Sequence, residues 1–259
     1  MAMSKEDLSG LHGIVLNVYD VQESSRMVDL LTKERGRVSF FARGAKRNKS
    51  RVLNLSERFV EGEYNLVQGR SSYYLKDGLL LDAHIGLRRS LGKMSSAGFF
   101  MECLSAVLFE EEDPSVFPLL QKALSAAEDA EGEAALSALI GAFLLKLSSV
   151  LGFRPTLSAC MTCGKPVDRN FQFDPLQGGV VCEDHAMGSS GFALEQESYR
   201  LLCSYILEPF SAIIRNSVKM SQKETIRRVT DLCFRYFCIH TGKESFKSRS
   251  LLRQLELMS

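Results

Sequence analysis

Apolar residues in the first third of the chain form short runs, several of which alternate with polar positions. Five such runs, separated by glycine-containing or charged turns, predict strands at residues 13–19, 25–32, 37–44, 59–68 and 72–81. Five short strands with embedded glycines are typical of a small closed barrel, and the OB-fold is the commonest five-stranded form. The pattern alone leaves an SH3-like barrel open.

After residue 82 the pattern changes to apolar residues every three or four positions, which is typical of helices. Helices are predicted at 86–111, 114–128, 131–152, 194–210, 221–242 and 248–257. The third is apolar nearly all round, so we expect it at the centre of a bundle. The sequence therefore predicts an α+β chain, with a five-stranded OB-fold barrel as domain 1–82 and an α-helical domain at 83–259.

A segment between the third and fourth predicted helices has the spacing of a metal site. Cys160 and Cys163 form C-x2-C, eighteen residues follow, and Cys182 with His185 forms C-x2-H. Two short pairs at this interval suit a tetrahedral zinc ion, and Gly164 suits the tight turn after the second cysteine. Residues 171–181 read as strand, turn and strand, which predicts a zinc-finger-like hairpin insertion at about 156–190.

Three other interpretations of this segment are weaker. Four unrelated residues in a surface loop would not explain the paired spacing, and nothing else in the chain suggests the exported context that favours disulfides. A catalytic zinc ion usually leaves one position open for water, whereas four ligands are available here. The chain also lacks H-E-x-x-H, and H-x-E does not precede C-x2-C. We therefore expect one structural zinc ion per chain and no enzymatic activity.

A basic stretch follows the second predicted strand. Residues 35–51 contain seven Lys or Arg and no acid. Strand alternation places Arg37, Phe41 and Arg43 on the outer face and Phe40 in the core. Cations for phosphates and an aromatic ring for stacking are the components of a single-strand-binding surface, whereas a solvated loop is the simpler alternative. We expect DNA contacts from Arg35, Arg37, Phe41, Arg43, Lys46, Arg47, Lys49 and Arg51.

Composition changes this picture little. The chain of 259 residues is 45% hydrophobic and 24% charged, with a net charge of +1, as in ordinary globular proteins. The longest uncharged apolar stretch, 134–145, is too short for a membrane span, and the early charges of the N-terminus do not fit a signal peptide. We expect a cytoplasmic protein that does not associate with membranes.

The order and spacing of these segments resemble the RecO family of bacterial recombination mediators. The resemblance rests on "GIVL", "FFARGAKRNKSR", "LLKLSSVLGFRP", "CMTC…CEDH" and "SFKSRSLLRQL", and extends over residues 10–255. It implies an OB-fold, a helical domain with a zinc-finger-like insertion, and no bond-making catalysis. It also implies binding to single- and double-stranded DNA, strand annealing, and action with RecR to load RecA on strands coated by single-strand-binding protein (SSB).

Further partners follow from the same resemblance. Members of the family dock on the acidic, apolar C-terminal tail of SSB, work at the bacterial nucleoid during repair and take no small-molecule substrate. A different class of protein shares the barrel, the basic loop and the zinc knuckle: an RNA-binding OB and zinc-ribbon accessory protein of translation or transcription. Only the resemblance separates the two hypotheses.

Overall fold

The computed structural model describes residues 7–21, 23–46, 51–108, 114–167, 171–186, 191–219 and 223–258, without the side chains of Arg51 and Lys219. The chain forms two compact units. Unit 1 comprises Met1–Arg89 with Cys103–Leu124, and unit 2 comprises Ser90–Glu102 with Ser125–Ser259.

Unit 1 contains a closed five-stranded barrel. Its strands are β1 (Leu8–Asp20), β2 (Arg26–Thr32), β3 (Gly36–Ala42), β4 (Glu61–Gln68) and β5 (Tyr73–Asp82), and the short helix α1 (Arg51–Asn54) lies between β3 and β4. The strand order β1-β2-β3-β5-β4 closes because β4 also pairs with β1. All pairings are antiparallel except β3 with β5. The five predicted strands are confirmed, and this topology is that of the OB-fold.

The barrel core follows from strand alternation. Phe40 and Ala42 are buried in β3, whereas the intervening Phe41 is only partly buried and Ser39 is exposed. The ring of Phe40 lies 5.8 Å from that of Tyr64 on β4, and Val15, Leu30 and Leu66 belong to the same apolar cluster. The predicted register of β3 is therefore confirmed, because a shift by one residue would exchange Phe40 and Phe41.

The helical part begins with a 3₁₀ turn (Ile85–Arg89), then α2 (Leu91–Val107) and α3 (Val116–Asp129). Unit 2 is built around α4 (Gly132–Val150), which is buried from Ala135 to Leu145 and packs against α6 (Gln196–Leu207), α7 (Phe210–Lys219) and α8 (Lys223–Thr241). A last short helix, α9, spans Arg249–Gln254. The predicted central position of α4 is confirmed, whereas α7 is an additional helix that the sequence analysis did not predict.

Among the described residues, α4 is the one helix long and apolar enough, by length and composition, to cross a membrane. However, 72% of its apolar window is buried inside the protein. The central helix of a folded bundle meets the same criterion, so this observation is weak support for a membrane span.

A hairpin lies between α4 and α6. Strand β6 (Phe171–Asp174) pairs with β7 (Gly179–Cys182), and the two-residue strand β8 (Phe192–Ala193) pairs with the other side of β6. Asp174 stabilises the turn, because its carboxylate accepts hydrogen bonds from the backbone N–H groups of Leu176 and Gln177, at 2.9 and 3.1 Å. Cys182 is the last residue of β7, and the single-turn helix α5 (Glu183–Ala186) follows directly.

Candidate metal site and nucleic-acid interface

Two tight turns bring the four predicted metal ligands together. The first turn carries Cys160 and Cys163, and it closes with a 2.8 Å hydrogen bond from the Gly164 N–H to the Cys160 carbonyl. Gly164 has φ +72°, as expected for a residue of this turn. The second turn begins where β7 ends, so that Cys182 and His185 face the first pair.

The ligand atoms of Cys160, Cys163, Cys182 and His185 all lie within 4.8 Å of one another. The Sγ atoms of Cys163 and Cys182 are 3.9 Å apart, and His185 Nδ1 lies 3.1 Å from Cys182 Sγ and 4.0 Å from Cys160 Sγ. Tetrahedral zinc with Zn–S bonds of about 2.3 Å requires sulfur atoms roughly 3.8 Å apart. These four residues could therefore hold a metal ion, and both the donor set and the spacing fit.

Cys160 is the ligand whose thiol is most affected by its surroundings. Burial alone would raise its pKa, but backbone hydrogen bonds from Cys182, Cys163 and Thr162, and one from the Cys163 thiol, lower the pKa to about 6. The pKa of Cys182 is instead raised, by burial and by hydrogen bonds to Cys160 and Cys163. A thiolate is the form that binds metal, so these hydrogen bonds from both turns favour the ligating form of Cys160.

The outer face of β3 carries an aromatic and cationic stack in unit 1. The rings of Phe41 and Tyr74 are stacked, with centroids 5.6 Å apart and an angle of 23° between their planes. The guanidinium of Arg43 lies 4.1 Å from the centroid of the Tyr74 ring. This stack presents a cation beside an aromatic surface. In single-strand-binding proteins, cations bind the phosphate backbone and aromatic rings stack on the bases.

A groove of about 1420 Å³ lies on the same barrel, between β2, β3 and the loop that joins β4 to β5. Three arginines line it, Arg35, Arg37 and Arg70, together with Tyr73 and several serines. None of the described residues lining it is acidic. OB-folds bind oligonucleotides on the face of strands 2 and 3 and with the loop between strands 4 and 5. The groove therefore occupies the position where this fold binds nucleic acid.

The eight predicted DNA-binding residues have different surroundings. Arg37 donates to Asp29 at 2.7 Å, and Lys46 forms an ion pair with Asp20 at 2.9 Å. The Lys46 contact and the neighbouring Arg26 lower the pKa of the Asp20 carboxyl. Arg35 and Arg43 are exposed and Phe41 is partly buried. Arg47 and Lys49 lie outside the described residues, as does the side chain of Arg51.

Sequence reasoning missed two residues of this surface. Arg70 belongs to the loop "GRSS" between β4 and β5. It was not recognised because it is isolated from the other cations and therefore belongs to no basic stretch. The loop between strands 4 and 5 of an OB-fold binds oligonucleotides, so the position of this loop could have indicated Arg70. Tyr74 was assigned to a strand without a role, because its contact with Phe41 depends on pairing between strands distant in sequence.

The second basic block, residues 215–253, is largely engaged within unit 2. Arg227 forms an ion pair with Glu256 at 2.5 Å and Arg228 with Glu224 at 3.2 Å. The Arg249 guanidinium lies 4.4 Å from the Phe234 ring centroid, and that of Arg235 lies 4.6 Å from the Phe192 ring centroid. These contacts give the cations structural roles on α8 and α9.

An OB barrel with a cationic groove, joined to a helical part with a Cys3His cluster, defines the class of OB-fold proteins that carry a zinc-knuckle-like insertion. Comparison with known families gives a narrower assignment. The sequence model described as "Recombination protein O N terminal" matches residues 8–84, and that described as "Recombination protein O C terminal" matches residues 88–250. The chain belongs to the RecO family of DNA repair proteins.

Individual relatives agree with the family assignment. The chain is 36% identical over 181 residues to the DNA repair protein RecO of Symbiobacterium thermophilum. The aligned region covers 68% of this chain and 70% of that protein. It is 27% identical over 248 residues to the DNA repair protein RecO of Bacillus pumilus, covering 95% and 94% of the two chains. The RecO protein of Alkaliphilus metalliredigens is 25% identical over 245 residues, with coverage of 94% and 98%.

Proposed function

We propose that this protein is a DNA-binding and strand-annealing recombination mediator. In this proposal it acts with RecR at SSB-coated single strands and helps to load RecA during repair. The observation that carries the proposal is the groove on the β2–β3 face of the barrel. Three arginines line this groove, and none of its described lining residues is acidic. Family membership favours DNA over RNA as the ligand.

In the proposed DNA complex, residues 1–82 act as the nucleic-acid-binding domain. Arg35 and Arg70 contact phosphates from two loops, while Arg37, held in place by Asp29, lines the groove between them. The ring of Phe41, already stacked on Tyr74 on one side, offers its other side to a base. The cations of the loop after β3 extend this path: Arg43, Lys46, Arg47, Lys49 and Arg51. Such contacts position the strand without reading its sequence.

The metal in this proposal is one structural zinc ion per chain, held by Cys160, Cys163, Cys182 and His185. Thiolate and imidazole are the ligands that zinc prefers, and four protein ligands leave no open position for water. The zinc ion would therefore stabilise the hairpin, and we assign the protein no catalytic step.

The proposed partners are single- and double-stranded DNA, RecR and the C-terminal tail of SSB, with no membrane and no small-molecule substrate. The proposed location is the bacterial cytoplasm, at the nucleoid during repair. The groove and the stack both lie on unit 1.

Two neighbouring phenylalanines provide a matched test of the stacking role. Phe41→Ala is expected to weaken binding to single-stranded DNA by ~1–3 kcal/mol with the fold retained, because a base loses its stacking surface. Phe40→Ala should instead lower the free energy of unfolding by roughly 3–5 kcal/mol, since its ring is fully buried. Fluorescence titration with labelled oligonucleotides and denaturant unfolding measure the two effects. Equal DNA affinity of Phe41→Ala and the unchanged protein would contradict the stacking role.

The mediator function itself is tested by annealing. Complementary oligonucleotides coated with SSB should anneal faster when this protein is added, and Phe41→Ala should reduce that acceleration. A parallel titration with DNA and RNA of matched sequence separates the two function classes. Failure to accelerate annealing, together with tighter binding to RNA, would favour an accessory role in translation or transcription and overturn the proposal.

A further inference from the structure

Four side chains on the barrel form a continuous row across four strands. Tyr19 of β1 pairs with Met27 of β2, which in turn pairs with Phe41 of β3. On its other side, Phe41 pairs with Tyr74 of β5. Directly paired residues lie on the same face of a sheet, so the four side chains are neighbours. We call Tyr19, Met27, Phe41 and Tyr74 the cross-strand row.

Strand alternation directs this row away from the barrel core. Val28 and Phe40, each next to a member of the row along its strand, are fully buried in the core. By contrast, Tyr19 is 52% exposed and the other three members are partly buried. The row therefore offers an apolar and aromatic strip to a ligand outside the barrel.

Cations accompany the row at two positions. The Arg43 guanidinium lies 4.1 Å from the centroid of the Tyr74 ring, at the β5 end of the row. Met27, inside the row, also lines the groove that contains Arg35 and Arg37. A nucleic acid strand that crosses the row therefore has cations beside it for its phosphates.

The length and chemistry of the row suit a short stretch of single strand. Four strands about 4.8 Å apart span roughly 14 Å, which corresponds to about four stacked bases at about 3.4 Å each. OB-folds bind single strands with site sizes of about 4–16 nucleotides. Aromatic rings stack on bases, and the thioether of Met27 makes favourable contacts with aromatic systems.

We propose that the cross-strand row is a base-binding element for single-stranded DNA, and that the cations alone hold duplex DNA. This inference rests on the proposed function, because it assigns a role to residues of the same DNA site. Base faces are accessible in a single strand, whereas in a duplex they are stacked on one another and the phosphates remain for the cations. The row therefore engages strands before they anneal, and pairing removes their bases from it.

Tyr19→Ala separates the two kinds of contact, because this exposed side chain can be removed without leaving a cavity in the core. The variant should bind a labelled single strand of about 16 nucleotides roughly tenfold less tightly, the loss expected for one base–aromatic contact. Its affinity for a duplex of the same sequence should stay within about twofold, and the slope of log affinity against log salt should not change, since no phosphate contact is lost. Fluorescence anisotropy titrations measure all three quantities.

Three further variants serve as controls. Tyr19→Phe keeps the ring and should bind single strands as the unchanged protein does. Arg70→Ala removes a cation of the groove and should weaken binding to single strands and to duplex alike. Leu79→Ala shortens a leucine of the same barrel that is 58% exposed and lies outside the row, so it should change neither affinity.

A fluorescent reporter tests the contact directly. The chain contains no tryptophan, so Tyr19→Trp introduces a single indole into the row. Its emission should be quenched when a single strand binds, because a stacked base quenches indole fluorescence, and should change little when duplex binds.

The outcomes separate this inference from the proposed function. Equal losses of single-strand and duplex affinity in Tyr19→Ala, or no loss of either, would overturn the role of the row and leave DNA binding in place. Emission of Tyr19→Trp that responds equally to both forms would do the same. An unchanged protein that binds neither form of DNA would overturn the proposed function, and this inference with it.

Discussion

Replacing Cys160 with serine should leave the protein without bound zinc and with an unfolded hairpin at about residues 156–190, while the barrel of unit 1 stays folded. The hairpin has two four-residue strands and one two-residue strand, too little structure to be stable alone in water. Zinc binding to small sites of this kind contributes about 10–16 kcal/mol at neutral pH, which for such a segment is folding free energy. Metal analysis and limited proteolysis measure the two losses.

A second cysteine provides the control for this variant. Cys203 lies on α6 outside the cluster, so Cys203→Ser should retain one zinc ion per chain and an intact hairpin. Zinc content should also fall at acid pH, because metal binding requires the thiolates and protons compete with the metal for them. No zinc in protein purified without chelator, or wild-type zinc content in Cys160→Ser, would show that the assignment is wrong.

The barrel was predictable because strand signals are local. The alternation of "RVSFFA" places Phe40 inside and Phe41 outside, and the structure has the same arrangement. The pattern of apolar and polar residues alone did not distinguish an OB-fold from an SH3-like barrel. The distinction depends on which strands pair, and the one parallel contact between the described strands of this barrel, β3 with β5, consists of two residue pairs between segments more than thirty positions apart.

The missed helix α7 has a definite cause. The predicted helix 194–210 ran through Pro209, although proline is favoured in the first turn of a helix, where its missing N–H costs no hydrogen bond. The following residues bury Ile213, Ile214 and Ser217 on one face, at helical spacing. Both signals were present in the sequence, but the predicted helix continued through the proline, whereas α6 ends before it and α7 begins after it.

Charge counts along the basic stretch overestimated the charge available to a ligand. Arg37 and Lys46 already have carboxylate partners, Asp29 and Asp20, which lie on other segments of the barrel. The Asp29 side chain is 7% exposed and also accepts a 2.6 Å hydrogen bond from Ser39. Sequence alone cannot assign such partners, because strand pairing brings them together. Arg37 is therefore better suited to a contact of fixed geometry.

Replacing the five cations of the loop after β3 with alanine should have the largest effect on DNA binding. These residues are Arg43, Lys46, Arg47, Lys49 and Arg51. Each phosphate contact releases condensed counterions, so the slope of log affinity against log salt should shrink by about 0.7 per cation on single strands, or roughly 3.5 in total. At 0.1 M salt this corresponds to an affinity loss on the order of a thousandfold. Lys46 contributes least, because it must first leave Asp20.

The matched control removes the same charge from unit 2, with alanine at Arg215, Lys223, Lys243, Lys247 and Arg253. If the loop is the DNA site, this variant keeps the original salt slope, because a change in net charge alone does not remove phosphate contacts. Titrations of several DNA sequences at several salt concentrations measure both variants. The loop variant should lose affinity by a similar factor for every sequence, since phosphate contacts carry no sequence information. A reduced slope in the control, with an unchanged slope in the loop variant, would move the DNA site to the second basic block and leave the proposed repair function in place.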